Sequence, residues 1–128
     1  MVKAMRSSEL FEILDSAEEV GALRQAIAPA MPAFRAGLAL RGGSAPIEIK
    51  TEGREFRITE AHVRKLCEEY LAERLDEAEL SYLATALELS PDFVMASEGI
   101  EEAISLLSDP VANGPLSREV AESLLRSL

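Results

Sequence analysis

The chain has 128 residues, of which 48% are apolar, and a net charge of −10, so it is long enough for one compact domain but not for a second independent core. No apolar run reaches the roughly 18 residues of a membrane-spanning helix. The first ten residues also lack the apolar stretch of a signal peptide. We therefore expect a cytoplasmic protein without a membrane partner.

The acidic residues are concentrated in the second half of the chain. Residues 1–59 carry eight acids and eight bases, whereas residues 60–128 carry fifteen acids and five bases. Such a surface repels nucleic acid phosphates and attracts cations. The charge distribution argues against nucleic acid binding and favours a partner with a basic surface.

The N-terminal part, residues 8–40, is predicted to form helices. Apolar side chains recur there at helical spacing, namely Leu10, Phe11 and Leu14 in a first helix and Val20, Leu23 and Ile27 in a second. The capping pattern that starts at Ser16 opens the second helix, and Pro29 and Pro32 should stop or kink it. Residues 33–40 fit either a helix or a strand, and we predict a helix.

Residues 47–50 and 54–58 alternate apolar with charged side chains, a pattern typical of half-buried strands. An antiparallel register with Lys50 opposite Glu55 satisfies both the charges and the apolar faces. We therefore predict one β-hairpin. A lone hairpin is marginally stable in water, so its apolar face must lie on helices or pair with another chain.

The stretch from Thr59 to Leu89 is predicted to be the centre of the fold. Its two apolar stripes would point roughly 130° apart on one straight helix, so a single helix could not bury both. Asp76 followed by Glu79 has the form of a capping box, which places a new helix start there. The sequence thus predicts two helices, at about 60–75 and 77–89.

The remaining chain is predicted to hold one helical turn and two further helices. Ser90 and Pro91 favour a single turn that contains residues 93–95. Ser97 then caps a helix that ends at Asp109-Pro110, and Ser117 caps the last helix.

Together these elements predict a mainly α (α+β) fold, a compact bundle of about six or seven helices with one β-hairpin. We expect a single globular domain over 1–128, with N-terminal helices in 8–40, the hairpin in 47–58 and an acidic helical part in 60–128. Because the hairpin is short and the helices offer more apolar faces than a small core covers, a homodimer is favoured over a monomer.

The residues that most often carry chemistry are scarce. His62 and Cys67 are the only histidine and cysteine, and five residues apart on a helix they point roughly 140° apart, too far for a nucleophile and its base. Cys67 lies in an apolar stripe and should be buried, and His62 at its edge should be structural. No zinc, calcium or nucleotide motif is present. The sequence therefore predicts no catalytic, metal or cofactor site.

Acidic residues around the break between the central helices are the candidate partner-binding site: Glu68, Glu69, Glu73, Asp76 and Glu77. The helix dipole favours acids in first turns, but Glu68, Glu69 and Glu73 lie in the middle and end of the first helix. Glu69 and Glu73 also form an i, i+4 pair of like charges, which costs roughly 0.2–0.5 kcal/mol. We predict that this face binds a basic protein, as an inhibitor, immunity protein or adaptor does.

Three alternatives stay open. The acidic face could only keep the protein soluble, in which case the chain would be a structural or oligomerisation module without a ligand site. A small enzyme would need a pocket of convergent polar groups that the sequence does not indicate. A helix-turn-helix in 60–89 would set Glu77 and Glu79 against DNA phosphates.

Overall fold

Helices dominate the computed structural model, which describes residues 5–15, 22–39, 47, 49–108 and 118–127. The helices are α1 (Ser7–Asp15), α2 (Ala22–Ile27), α3 (Met31–Ala39), α4 (Glu60–Leu71), α5 (Glu77–Leu89), α6 (Glu98–Ser108) and α7 (Arg118–Ser127). The strands are β1 (Met5–Arg6), β2 (Ile49–Lys50), β3 (Phe56–Ile58) and β4 (Phe93–Met95). The predicted mainly helical class with a few short strands is confirmed.

The prolines act on the N-terminal helices as predicted. Helix α2 ends at Ile27, Pro29 lies in a 3-10 turn over Ala28–Ala30, and α3 follows directly. The helical interpretation of residues 33–40 is confirmed as far as Ala39. The predicted caps at Ser16 and Ser117 and the helix end at 109–110 lie outside the described residues.

The break between the central helices is confirmed at Asp76. Asp76 Oδ1 accepts the main-chain N–H of Glu79 at 2.8 Å, and Glu79 Oε1 accepts the N–H of Asp76 at 2.8 Å, which completes the capping box. Helix α5 then runs from residue 77 to residue 89, as predicted.

Helix α4 ends at Leu71, earlier than the predicted residue 75. The N–H of Glu73 donates to the carbonyl of Tyr70 at 3.0 Å, and that of Arg74 donates to the carbonyl of Glu69 at 2.9 Å. Glu73 has a φ of 63°, so these bonds form a Schellman motif with Glu73 in the left-handed position that glycine usually occupies. The prediction that Glu69 and Glu73 repel each other along one helix is therefore wrong.

The strands lie where the hairpin was predicted, but they pair with other partners and in parallel. Strand β2 pairs with β1, with Ile49 opposite Met5, and β3 pairs with β4, with Phe56 opposite Phe93. In the loop between β2 and β3, the main-chain N–H groups of Glu52 and Gly53 donate to the carboxylate of Asp92 and not across a hairpin. Alternating apolar and charged residues indicate a strand but do not specify the strand with which it pairs.

Residues 93–95 form strand β4, so the predicted helical turn there is wrong. The turn lies just before them, where the N–H of Phe93 donates to the carbonyl of Ser90 at 3.2 Å. From Phe93 the chain is extended along β3. Helix α6 then begins as predicted, because Ser97 Oγ accepts the N–H of Ile100 at 3.3 Å.

The core surrounds the central helix pair. The side chains that are fully buried there come from both apolar stripes, Val63, Leu66 and Cys67 on α4 and Leu80, Leu83 and Leu87 on α5. Burial raises the pKa of the Cys67 thiol to about 11, so the thiol stays protonated. The prediction that Cys67 is buried is confirmed.

The short strands and the apolar helix faces, which favoured a homodimer, are largely covered by other parts of the same chain. The short strands pair with each other, and the large apolar side chains left exposed in the described ranges are Leu89, Val94 and Leu106. The homodimer stays a prediction, and sedimentation at high micromolar concentration would test it. None of the helices in these ranges is long and apolar enough to cross a membrane.

Candidate functional site

The five predicted partner-binding residues do not share one free face. Glu68 and Glu73 are exposed, and Glu77 is half-buried. Glu69 and Asp76, in contrast, are engaged by arginines of the same chain. The structure therefore separates Glu69 and Asp76, which form ion pairs within the chain, from Glu68 and Glu73, which are exposed.

Glu69 is only 7% exposed and forms an ion pair with Arg74. In the Schellman motif that ends α4, these two residues hold the positions where an apolar contact is common. The ion pair takes the place of that contact and stabilises the end of the helix. Glu69 could reach a partner only if Arg74 were displaced.

The N-terminal end of α5 is neutralised by two arginines from the first half of the chain. Asp76 Oδ2 accepts a hydrogen bond from Arg35 Nη2 at 2.7 Å. Glu79, which is 4% exposed, accepts from Arg24 Nε at 3.0 and 2.9 Å through its two oxygens. Burial alone would raise the pKa of Asp76, but the N–H of Glu79 and the Arg35 guanidinium together lower it. Two carboxylates at this end of α5 are thus already paired with arginines of the same chain.

The opposite end of α5 lies beside the start of α6, and four glutamates converge there. An open cleft of about 360 Å³ is lined by Glu88, Glu98, Glu101, Glu102 and Ser105, which we call the acidic groove. All four glutamates are exposed, and none forms an ion pair with a described residue. Glu88 receives only long hydrogen bonds of 3.4 and 3.5 Å from Ser108 Oγ. These carboxylates are available to a cationic ligand.

In the sequence, the dipole of α6 is sufficient to explain Glu98, Glu101 and Glu102, because it favours acids in a first turn. The sequence does not reveal the groove, because Glu88 joins these residues only through the packing of α5 against α6. The one signal in the sequence is the scarcity of bases, since Arg74 is the only base in residues 68–109.

Both ring nitrogens of His62 are engaged by residues of the same chain. The N–H of Thr59 donates to His62 Nδ1 at 2.9 Å, so the ring proton lies on Nε2, which is 2.9 Å from Asp15 Oδ1. His62 thus takes the place of the glutamate in a capping box at the start of α4. Because both ring nitrogens are engaged, His62 cannot take a proton from a substrate without breaking one of these bonds.

A second open cleft of about 360 Å³ lies between the end of α1 and α4. Its charged lining is mixed and consists of Asp15, Lys65, Glu68, Glu69 and Arg74. Lys65 Nζ donates to the carbonyl of Ile13 at 2.7 Å, and Arg74 is paired with Glu69, so both cations are already bound. Within the described ranges, no three His, Cys, Asp or Glu side chains are placed to hold a metal ion.

No family model, curated protein or solved structure matches this chain. The function must therefore be inferred from the geometry and charge of its own residues. Of the two clefts, the acidic groove is the one whose charged side chains form no ion pair with another described residue.

Proposed function

We propose that this protein binds a partner protein through the acidic groove and that the partner inserts lysine or arginine side chains. The observation that supports this proposal is the convergence on one cleft of four exposed carboxylates that form no ion pair within the described part of the chain. Acids elsewhere in the acidic half, such as Asp76 and Glu79, are held by arginines of the same chain.

The physical basis of the proposal is mutual repulsion. Four like charges around one cleft raise the negative potential there, and a cationic side chain that enters relieves the repulsion. Opposite charges also accelerate the encounter between partners. Binding should therefore weaken as salt shortens the screening length from about 10 Å at 0.1 M to about 3 Å at 1 M.

The proposed surface differs from the predicted one. Glu68, Glu73 and Glu77 can add to the negative field, but Glu69 and Asp76 are engaged within the protein. A non-enzymatic role agrees with the engaged nitrogens of His62 and the buried thiol of Cys67. The proposal keeps the cytoplasmic location that a single cysteine favours.

Two double variants of equal charge test the groove. Fluorescence anisotropy with a labelled octa-arginine peptide would compare wild type with Glu101→Gln/Glu102→Gln and with Glu68→Gln/Glu73→Gln. We expect the groove variant to bind about tenfold more weakly at low salt and the control less than about twofold. Both variants lose two charges, so a difference between them locates the binding.

Equal weakening in the two variants would mean that the peptide senses only the net charge, and the groove would lose its role. Should the groove variant bind more weakly, capture of proteins from a lysate of the source cells, with wild type and both variants, would identify the natural partner.

A further inference from the structure

The carboxylate of Asp92 lies at a junction of three segments. Asp92 is 2% exposed, and Oδ2 accepts hydrogen bonds from Ser7 Oγ at 2.6 Å and from the N–H of Glu52 at 2.7 Å. Its other oxygen, Oδ1, accepts the N–H of Gly53 at 3.2 Å. One carboxylate thus joins the start of α1 and the loop after β2 to the turn before β4.

The loop is shaped to receive an anion. Gly53 has a φ of 72°, a left-handed conformation that turns successive N–H groups towards one point. The Ser7 hydroxyl and the N–H groups of Glu52 and Gly53 together lower the pKa of Asp92, so the carboxylate is ionised at neutral pH.

Two other charged side chains face this junction. Glu52 Oε1 accepts the N–H of Ser8 at 2.8 Å and lies 3.2 Å from Ser7 Oγ. Arg6 acts electrostatically on Glu52 but is itself bound to Glu9 at 2.8 Å. The negative charge of Asp92 is therefore held by hydrogen bonds and not by a direct ion pair.

Besides the contacts of Asp92 and Glu52, the described part of the segment that contains this loop is held by a short strand pair, by Ile49 packed against the core and by weak contacts. We call residues 49–55 the flap, which consists of β2 and the loop that follows it. Its strand pairs with β1 over two residues each, a sheet too small to be stable alone. Thr51 Oγ1 lies 3.5 Å from Ser90 Oγ, a long contact. The Arg54 guanidinium lies 4.9 Å from the centroid of the Phe56 ring, so the flap partly covers that ring.

We propose that Asp92 is a latch, whose carboxylate holds the flap closed over Phe56 and whose neutralisation opens the flap while the central helices stay folded. Helices α4 and α5 have their own caps and buried stripes and do not depend on Asp92 for a hydrogen bond. Opening would remove the Arg54 guanidinium from the Phe56 ring, whose stacking on Phe11 at 4.9 Å does not involve the flap.

Hydrogen exchange of the main-chain amides tests the latch, with Asp92→Asn compared to wild type at neutral pH. Asparagine has a similar size but no charge, and its amide group would face the loop N–H groups. We expect exchange at Glu52 and Gly53 to rise by about tenfold or more, with no change in protection for amides of α5. Glu55→Gln is the matched control, since it removes an exposed charge from the same segment, leaves Asp92 and its donors in place and should not change exchange at Glu52 and Gly53.

The proposal is overturned if Asp92→Asn raises exchange equally in the flap and in α5, because the carboxylate would then stabilise the whole fold. Unchanged exchange at Gly53 would overturn it as well. If Asp92→Asn does not fold, Ser7→Ala removes one donor to the same carboxylate. It should accelerate flap exchange by about threefold, again without an effect on α5. Uniform or absent acceleration in that variant would likewise reject the latch.

Discussion

Acids cluster near both ends of helix α5, from its own first turn at one end and from α6 together with Glu88 at the other, but only those at the N-terminal end are paired with arginines. At the N-terminal end, Arg24 binds Glu79, which lies 55 residues away in the chain. Arg35 binds Asp76, which lies 41 residues away. At the C-terminal end, the glutamates of the acidic groove have no such partner within the described residues. Acids in a segment are thus available to a partner only where the fold brings no cation to them.

Acid should cause the largest loss of stability because it neutralises several bound carboxylates at once. The pKa of Asp76 is lowered in the folded state. Asp76 therefore contributes stability that is complete above the ordinary aspartate pKa of about 3.9 and is lost as the pH falls through its folded-state value. Urea denaturation should give a lower midpoint at pH 3 than at pH 6, and Asp76→Asn should reduce the difference. An equal midpoint at both pH values would contradict the claim that the ionised carboxylate stabilises the fold.

Removal of Arg24 should have the next largest effect, because it leaves the buried carboxylate of Glu79 without its cation. We expect Arg24→Ala to lower the free energy of unfolding by about 2 kcal/mol. Glu102→Gln in the acidic groove is the matched control and should change it by less than about 0.5 kcal/mol. Chemical denaturation measures both variants. If Arg24→Ala had only a small effect, the ion pairs at the N-terminal end of α5 would not distinguish that end energetically from the acidic groove.

The cap and the ion pair of Asp76 can be separated. Asp76→Ala removes both and should cost about 0.5–2 kcal/mol. Arg35→Ala removes only the pair, which is half exposed and should contribute at most about 1 kcal/mol. Thermal unfolding of the two variants side by side would show whether Asp76 acts mainly on the helix start. If Arg35→Ala were the more damaging, the ion pair would matter more than the cap.

The smallest expected change is a gain of stability at Glu73. Its left-handed conformation is costly for any residue with a Cβ atom, so Glu73→Gly should raise the free energy of unfolding by about 0.5–1 kcal/mol. Glu68→Gly removes the same charge inside α4 and should lower it by about 1 kcal/mol. If the two variants shift the denaturation midpoint in opposite directions, the backbone conformation and not the lost charge determines the change in stability. Shifts of the same sign would contradict this explanation.

Local features of the fold could be predicted from the sequence. The cap at Asp76, the stop near Pro29 and the burial of Cys67 each depend on residues within one or two helical turns. The early end of α4 is the local exception, because a glutamate at residue 73 gives no sign of the left-handed conformation that glycine would indicate.

Features that join distant segments could not be predicted in this way. The strand pattern of Phe56 to Ile58 indicates one buried face, but its parallel partner is β4 and not the neighbouring β2. The same limit applies to the candidate site. Glu69 reads as a surface residue in the helix pattern, and only the folded chain places it at 7% exposure beside Arg74.

The parallel strand pairs also constrain how the protein folds. Met5 meets Ile49, and Phe56 meets Phe93, so each pairing closes roughly forty residues of chain and contributes to a high contact order. A hairpin could form early from its own loop, whereas these strands can meet only after the helices between them are arranged. On the ribosome, strand β1 must wait until β2 has been synthesised before it finds its partner. The helices are therefore expected to form first, and the strand pairs to complete the fold late.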